Sequence, residues 1–186
     1  MSLKPQLEMS EATARAGGAP DIDESSGRYR MRLTCDPAEL DRIFRLRFEV
    51  FNLELGEGLA QSYASMRDTD AYDPYCHHLL VEDIASRQLV GTYRLLSRAN
   101  SIGCGFYSDN EFVLSDLPQS VLDRSVELGR ACIRYEHRNS RVLFLLWLGL
   151  AQYLQATSAR YFFGCCSLTS QSFDEAWQVM QYLEEN

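Results

Sequence analysis

The 186-residue chain has no excess of positive charge, because its formal net charge at pH 7 is −8. A protein that binds nucleic acid needs a basic surface, so we expect no nucleic-acid partner. The chain also lacks a long apolar run: the longest, residues 142–154, is interrupted by a glutamine. About 20 apolar residues are needed to cross a bilayer, so this run predicts a buried helix.

Residues 1–27 contain no apolar core of a signal peptide and are rich in Ala, Gly, Ser and Glu. They predict a disordered leader, followed by a single domain over residues 28–186. None of the six cysteines forms a CxxC pair, and the chain has only three histidines. We therefore expect reduced core cysteines, a cytoplasmic protein and no metal site.

Periodicity and turn signals predict the order β, α, (α), β, β, β, α, β, α, with a long irregular connection over residues 97–119. Asp36 as N-cap, Pro37 at the first position and Glu39 at the third mark the first helix start. The expected fold is an α/β (α+β) domain in which helices flank a central sheet. Strands are predicted at 29–35, 78–84, 89–96, 124–134 and 160–165, and helices at 37–52, 141–156 and 173–183.

Charged residues interrupt the segments that otherwise read as buried, and burying a charge is costly unless it is paired or bound. They predict a polar pocket, and for Arg47 the alternative is a structural salt bridge. Arg47 shares one helix face with Ile43 and Phe51, so it must reach solvent or meet an anion. The full set is Arg47, Asp68, Asp70, Asp73, Arg94, Glu127 and Arg130.

The three aspartates at 68, 70 and 73 lack the central glycine and the downstream glutamate of a calcium loop. We expect them to pair with Arg47 and Arg94 or to receive a cationic substrate, and a solvated acidic loop is the alternative.

Glu127 and Arg130 would face opposite sides of a regular strand. Gly129 between them permits a bulge that brings both to one face, so we predict a break in the ladder at or next to Gly129. The alternative is a Glu–Arg pair that only closes the core.

The segment 138–141 precedes the apolar helix, where a helix N-terminus is a ready anion site. Five arginines also make a basic cluster within this acidic chain, and a solvated basic face is the alternative. They are Arg124, Arg130, Arg134, Arg138 and Arg141.

The order Arg47 and Phe51, the three aspartates, Arg94 and then Glu-Leu-Gly-Arg at 127–130 resembles the acyl-homoserine lactone synthases. The strings RDTDAYDPYCHHLLV, LVGTYRLL, ELGRACI and FFGCCSL are still more similar to the ornithine-lipid N-acyltransferases and the N-acyl amino acid synthases. Both groups belong to the GNAT superfamily, and the resemblance covers about residues 29–170.

The resemblance implies a GNAT fold, in which the central sheet is mixed and twisted. It also implies transfer of a fatty acyl group from acyl carrier protein, or acyl-CoA, to the amine of an amino acid such as ornithine. The co-substrate is then an acyl-phosphopantetheine thioester, and no resident cofactor is expected. Residues 138–143 lack the small residues with which GNAT proteins bind the coenzyme A pyrophosphate, which favours a carrier protein. A GNAT fold also has two strands after the last helix, and we expect these to be missing here.

On this hypothesis Glu127 takes the proton of the attacking amine, and Arg130 belongs to the catalytic pair. The thioester carbonyl lies against the bulge, whose N–H groups stabilise the oxyanion. The acceptor pocket is formed by Arg47, Phe51, Asp68, Asp70, Asp73 and Arg94. The donor contacts Leu128, Gly129, Arg134, Arg138, Ser140 and Arg141, with the three arginines at the cleft mouth and the acyl chain along Phe51, Leu146 and Trp147.

Two alternative functions stay open at this point: an acyl-homoserine lactone synthase and a non-catalytic module that binds acyl groups or a carrier protein. Peripheral membrane contact through a lipid product and a homodimer are further open expectations.

Overall fold

The computed structural model describes residues 18–166 and 172–186. Its centre is a six-stranded sheet in the order β1-β2-β3-β4-β5-β6. All neighbouring strands are antiparallel except β5 and β6, so the predicted mixed sheet is confirmed. The strands are β1 (Asp23–Ser26), β2 (Tyr29–Thr34), β3 (His77–Asp83), β4 (Leu89–Ser97), β5 (Ser125–Ile133) and β6 (Tyr161–Phe163).

The first helix begins where the sequence predicts, because the Asp36 side chain accepts hydrogen bonds from the N–H groups of Ala38 and Glu39. After Arg47 it widens into a π-helix, Phe48–Glu54, a form often found at functional sites. The α-helices are α1 (Pro37–Arg47), α2 (Ser62–Ser65), α3 (Arg98–Ser101), α4 (Gln119–Leu122), α5 (Ser140–Thr157) and α6 (Phe173–Glu185). Short 3₁₀-helices span Asp73–Tyr75, Tyr107–Asn110, Leu114–Asp116 and Tyr135–His137.

The predicted leader is partly wrong. Residues 1–17 lie outside the described residues, but Asp23–Ser26 forms strand β1 and pairs with β2. Ile22 is buried in the core beside it. The polar sequence of β1 hid the strand, because its side chains are mostly exposed and it shows no apolar alternation.

Helices cover both faces of the sheet. Neighbouring residues of β3 show the two sides, because Leu79 packs in the core under α5 and Leu80 in the core under α1. On the α5 side, Gly149 lets the helix approach closely: a Cβ there would lie 2.8 Å from Met31 Sδ. In the described part of the chain, no helix combines the length and the apolar character needed to cross a membrane.

Candidate active site

The ladder between β4 and β5 is broken where the sequence predicts. Arg94 is opposite Gly129, but Thr92 is opposite Cys132, so β5 carries one extra residue. Arg130 takes up the distortion with a positive φ of 49°. Glu127 and Arg130 now line the same cavity, which confirms the predicted bulge and common face.

The Arg47 side chain is fully buried and meets anions, as its place on an apolar helix face requires. Its Nε lies 2.8 Å from Asp68 Oδ1, and its Nη1 lies 2.8 Å from Asp73 Oδ1. Burial alone would lower the pKa of Arg47, but the charge and hydrogen bond of Asp73 outweigh it and raise that pKa. This salt bridge ties α1 to the acidic segment at 68–73.

Arg94 extends the cluster from β4. Its Nη1 donates to both carboxylate oxygens of Asp70 at 2.7 Å and lies 3.2 Å from Asp73 Oδ1. Burial would raise the pKa of Asp73, but Arg47 and Arg94 hold it well below its usual range. The prediction that the aspartates pair with Arg47 and Arg94 is therefore confirmed. We call Arg47, Arg94, Arg130, Asp68, Asp70 and Asp73 the charge cluster; its three cations and three anions balance.

His78 is fully buried beside the charge cluster, with Nε2 3.9 Å from Asp73 Oδ1. Burial lowers its pKa to about 4, and Arg47 and Arg94 add to this while Asp73 opposes it. In the unfolded chain the His78 imidazole binds a proton near pH 6.5, whereas in the folded protein it stays neutral down to about pH 4. Between these two pH values a falling pH therefore favours the unfolded state.

We therefore expect the free energy of unfolding to fall by about 3 kcal/mol between pH 6.5 and pH 4, because each tenfold difference in proton affinity between the two states is worth about 1.4 kcal/mol. Urea unfolding at several pH values measures this. The variant His78→Leu should lose this pH dependence, whereas an unchanged slope would exclude His78 as its source. The acidic groups with lowered pKa, such as Asp73, add most of their own pH dependence below about pH 4, where these carboxylates take up protons in the unfolded chain.

Glu127 is held by the 3₁₀-helix that begins at Tyr107. Its Oε2 accepts the Tyr107 N–H at 2.8 Å, and its Oε1 accepts the Ser108 N–H at 2.7 Å and the Ser108 hydroxyl at 2.5 Å. A carboxylate oxygen has about two acceptor sites, so Oε1 is fully occupied while Oε2 keeps one. The side chain does not pair with Arg130 in the described structure, so the alternative of a Glu–Arg pair that closes the core is wrong.

Two cavities of opposite character meet along β5. The smaller, the polar cavity, has a volume of about 160 Å³. It is lined by Arg94, Leu96, Tyr107, Glu111, Glu127, Leu128, Gly129, Arg130 and Cys165. The larger, the apolar cavity, has a volume of about 440 Å³ and lies between the π-helix, the end of β5 and α5. It is lined by Val50, Phe51, Leu55, Tyr93, Ala131, Cys132, Ile133, Arg138, Leu143, Leu146 and Trp147.

Phe51, Leu146 and Trp147 line the apolar cavity together, as the sequence predicts. Phe51 also contacts Arg130, which lines the polar cavity. The guanidinium carbon of Arg130 lies 5.8 Å from the centre of the Phe51 ring. Arg130 therefore stands at the junction of the two cavities.

The predicted basic mouth is wrong for two of its three arginines. Arg134 forms an ion pair with Glu49. The Arg141 guanidinium lies against Gly27, beyond the first strand, where a Cβ on Gly27 would be 2.7 Å from it. Arg138 does line the apolar cavity, but its Nη1 lies 2.6 Å from Glu54 Oε1 on the π-helix. Local acidic partners thus neutralise Arg134 and Arg138, which sequence spacing alone does not reveal.

The start of α5 is not the open anion site that the sequence predicts. The Asn139 side chain caps it by accepting the N–H groups of Arg141 and Val142, each at 3.1 Å. Ser140 is the first residue of the helix, and the cap holds the N–H groups that a phosphate next to it would use.

Sequence reasoning missed the residues that the irregular connection brings to the polar cavity. Tyr107, Ser108 and Glu111 lie in the segment for which the sequence predicts only a long loop, and no periodicity marks them. Cys165 also lines this cavity, with Sγ 3.4 Å from Ser108 Oγ. Of the six cysteines, only Cys76 and Cys132 are buried, so the prediction that they belong to the core holds for those two.

Known proteins resemble this chain over most of its length. The L-ornithine N(alpha)-acyltransferase of Brucella abortus (strain 2308) is 36% identical over 169 residues, covering 87% of this chain and 60% of that protein. The protein of the same name from Rhizobium meliloti (strain 1021) is 35% identical over 182 residues, covering 93% of this chain and 61% of that protein. The chain thus spans about three fifths of the length of these curated relatives.

Among solved structures, the AHL synthase LasI superposes with a TM-score of 0.53 at 16% identity, covering 84% of this chain and 78% of the other. At that identity the likeness shows the fold alone, and it confirms the fold that the motifs imply. Residues 46–148, more than half of the chain, match the model of the acetyltransferase (GNAT) domain family. They include the charge cluster, the bulged strand and the first turns of α5, and on this match the chain belongs to the GNAT acetyltransferase family.

Proposed function

We propose that this protein transfers a fatty acyl group from a phosphopantetheine thioester to the amine of an amino acid such as ornithine. The observation that carries the proposal is the meeting of an apolar and a polar cavity at the bulge of β5. A reaction that joins a hydrocarbon chain to a charged metabolite needs these two environments side by side. Relatives named as ornithine N-acyltransferases support the same chemistry.

The acyl donor suits the apolar cavity. Its volume of about 440 Å³ falls within the roughly 300–1,000 Å³ of typical ligand pockets. The bulge adjoins Ala131, Cys132 and Ile133 of β5, which line this cavity, and a bulge leaves the extra residue outside the regular ladder. Backbone N–H groups at Arg130 and Ala131 are therefore the candidates to stabilise an oxyanion on the thioester carbonyl.

The acceptor suits the polar cavity, where Glu127 is the candidate base. Its Oε2 keeps one acceptor site, which takes a proton from the amine directly or through one water. The charge cluster is internally balanced, so Arg47, Asp68 and Asp73 shape the pocket rather than bind the acceptor.

The proposed reaction needs no covalent enzyme intermediate. The ammonium of the acceptor first gives up a proton, and the neutral amine nitrogen attacks the thioester carbonyl to form a C–N bond. The tetrahedral intermediate then loses a second proton to Glu127 as the C–S bond breaks. The thiolate leaves and is protonated, so amide, free thiol and one net proton result.

The donor is proposed as acyl carrier protein, with acyl-CoA as the second source of the same thioester. The Asn139 cap occupies N–H groups at the start of α5 that the pyrophosphate of a nucleotide would use, which favours the carrier. Arg138 lies at the edge of the apolar cavity but is paired with Glu54, so a phosphate or an acidic partner that binds there must compete with that carboxylate.

The proposal is tested by incubating the chain with acyl carrier protein loaded with a fatty acid, or with acyl-CoA, and a panel of amino acids. Mass spectrometry should detect an N-acylated amino acid, with ornithine among the best acceptors. An acyl-homoserine lactone formed from S-adenosylmethionine would favour the synthase alternative. Binding of the loaded carrier without any product would favour the non-catalytic module.

The apolar cavity makes a prediction about chain length. Leu143 lines it and is about half exposed, so Leu143→Trp should narrow the cavity with little effect on folding. We expect the preferred acyl chain to become shorter by several carbons, measured as relative kcat/KM across a series of donors. Phe144→Trp is the matched control, because Phe144 is the next residue and does not line the cavity. Equal profiles in both variants would place the acyl chain elsewhere.

A further inference from the structure

We propose that the polar cavity selects amino acids with a second amino group, and that Glu111 is the residue that recognises this group. In this arrangement Arg130 binds the α-carboxylate, Glu111 binds the side-chain ammonium, and the α-amine is left at Glu127 Oε2. The inference rests on the proposed function and goes beyond it by naming the residue that sets acceptor specificity.

The first step of the argument is that most charges of the cavity are already used. Arg94 donates to Asp70 at 2.7 Å and lies 3.2 Å from Asp73. Glu127 accepts three hydrogen bonds from Tyr107 and Ser108. Arg94 is therefore already ion-paired, and Glu127 keeps only the remaining acceptor site on Oε2 for a ligand.

Arg130 is the cation that remains available. Its Nε lies 3.5 Å from Asp68 Oδ1 and its Nη2 lies 3.8 Å from Asp70 Oδ2, both longer than good hydrogen bonds between ions. The guanidinium is thus held near two carboxylates without being saturated by them. Its planar fork of donors matches the two oxygens of a carboxylate, which is the group that every free amino acid carries.

Glu111 is the anion that remains available. It lines the polar cavity, is exposed, and forms no ion pair with any basic residue in the ranges 18–166 and 172–186. Its carboxylate interacts with the Tyr107 hydroxyl: burial and then this hydrogen bond raise the pKa of Tyr107. Arg130 acts on the pKa of the same tyrosine with the opposite sign, and Tyr107 lines the cavity together with both charged residues.

The cavity thus offers a cation and an anion at two places, with the candidate base also on its wall. An amino acid with an ammonium at the end of its side chain matches both charges. One with a neutral side chain leaves Glu111 without a partner, and one with an acidic side chain is repelled by it. The volume of about 160 Å³ is below the range for drug-sized ligands, which suits a free amino acid.

The test compares ornithine with norvaline, which has the same carbon chain and lacks the terminal amine. Wild type should prefer ornithine, and Glu111→Gln should raise the KM for ornithine roughly three- to tenfold, the scale of an ion pair that its ligand partly covers. The KM for norvaline should stay unchanged. Glu111→Lys should reverse the preference in favour of glutamate. Glu136→Gln is the control, because it removes an exposed negative charge that lines neither cavity.

An ornithine-to-norvaline ratio that is the same in wild type and Glu111→Gln would overturn the inference. Ornithine binding to wild type and to Glu111→Gln, measured by calorimetry, distinguishes failure of this inference from failure of the proposed function. Binding that depends on Glu111 without any turnover would support the site and refute acyl transfer. Acylation of amines that is unaffected by Glu111→Gln would support acyl transfer and refute the role of Glu111. A wild-type chain that neither binds nor acylates ornithine would refute the site and the acyl transfer together.

Discussion

Replacing Glu127 by Gln is expected to lower the rate of acyl transfer by roughly 10²–10⁴-fold, the usual contribution of a positioned general base. The amide keeps the shape of the carboxylate and removes the proton acceptor. Its Oε1 still accepts from Ser108, but its NH₂ group faces the Tyr107 N–H, where a partly buried donor then has no acceptor. We therefore also expect a loss of stability of about 1–3 kcal/mol. Single-turnover rates and urea unfolding on the same sample measure both effects.

Ser108→Ala is the matched control for this change. It removes one hydrogen bond to a charged group, worth about 1.5–3 kcal/mol, and leaves the carboxylate in place. The two variants should be similarly destabilised, but only Glu127→Gln should lose most of its rate. Equal loss of rate in both would mean that Glu127 acts by anchoring the 3₁₀-helix at Tyr107. Full activity in Glu127→Gln would remove it from the mechanism.

Replacing Arg47 by Ala is expected to destabilise the fold by about 3–5 kcal/mol, the scale for removing one partner of a buried ion pair. Asp68 and Asp73 would keep their negative charges in the core and lose their main hydrogen-bond donor. For a chain of this size each kcal/mol shifts the melting temperature by about 2–4 °C, so a drop on the order of 10 °C is expected. Differential scanning calorimetry measures it directly.

Arg45→Ala provides the comparison on the same helix. Arg45 is exposed and pairs with Asp41 one turn earlier, an arrangement worth about 0.3–0.5 kcal/mol. Arg47→Lys should fall between the two, because an ammonium keeps the charge but cannot donate to both aspartates in the fork geometry of a guanidinium. If Arg47→Ala melts within a degree or two of Arg45→Ala, the charge cluster does not hold α1 in place.

The main elements of the fold could be predicted from local patterns, and so could the part of the site that lies on α1 and β5. Helix α1 is marked by Asp36 and Pro37, and the bulge is signalled by Gly129 between two charged residues in an apolar strand. The pairing of Arg47 with aspartates follows from the cost of burying a lone charge. The helix start and the bulge are set by neighbouring residues in the sequence. The pairing is set by the free-energy cost of burying the Arg47 charge, which only an anion relieves.

The residues that reach the cavities from irregular segments, and the acidic partners of the arginines, could not be predicted. Both depend on contacts between segments that show no periodic signal in the sequence. Ser108 and Glu111 reach the polar cavity from an irregular connection. Arg134 and Arg138 find acidic partners on the π-helix more than eighty positions earlier in the chain. A cluster of like charges in sequence therefore says little about surface potential until the opposing charges are located.

The backbone of Arg130 has a consequence for engineering. A left-handed φ of 49° costs a residue with a Cβ about 1–2 kcal/mol, and glycine adopts it freely. Arg130→Gly would relieve this strain, but it would also remove a cation that lies 3.5 Å from the buried Asp68 carboxylate, so its two effects on stability oppose each other. A library built on this scaffold should therefore carry the strained arginine as a fixed position and seek thermal resistance elsewhere.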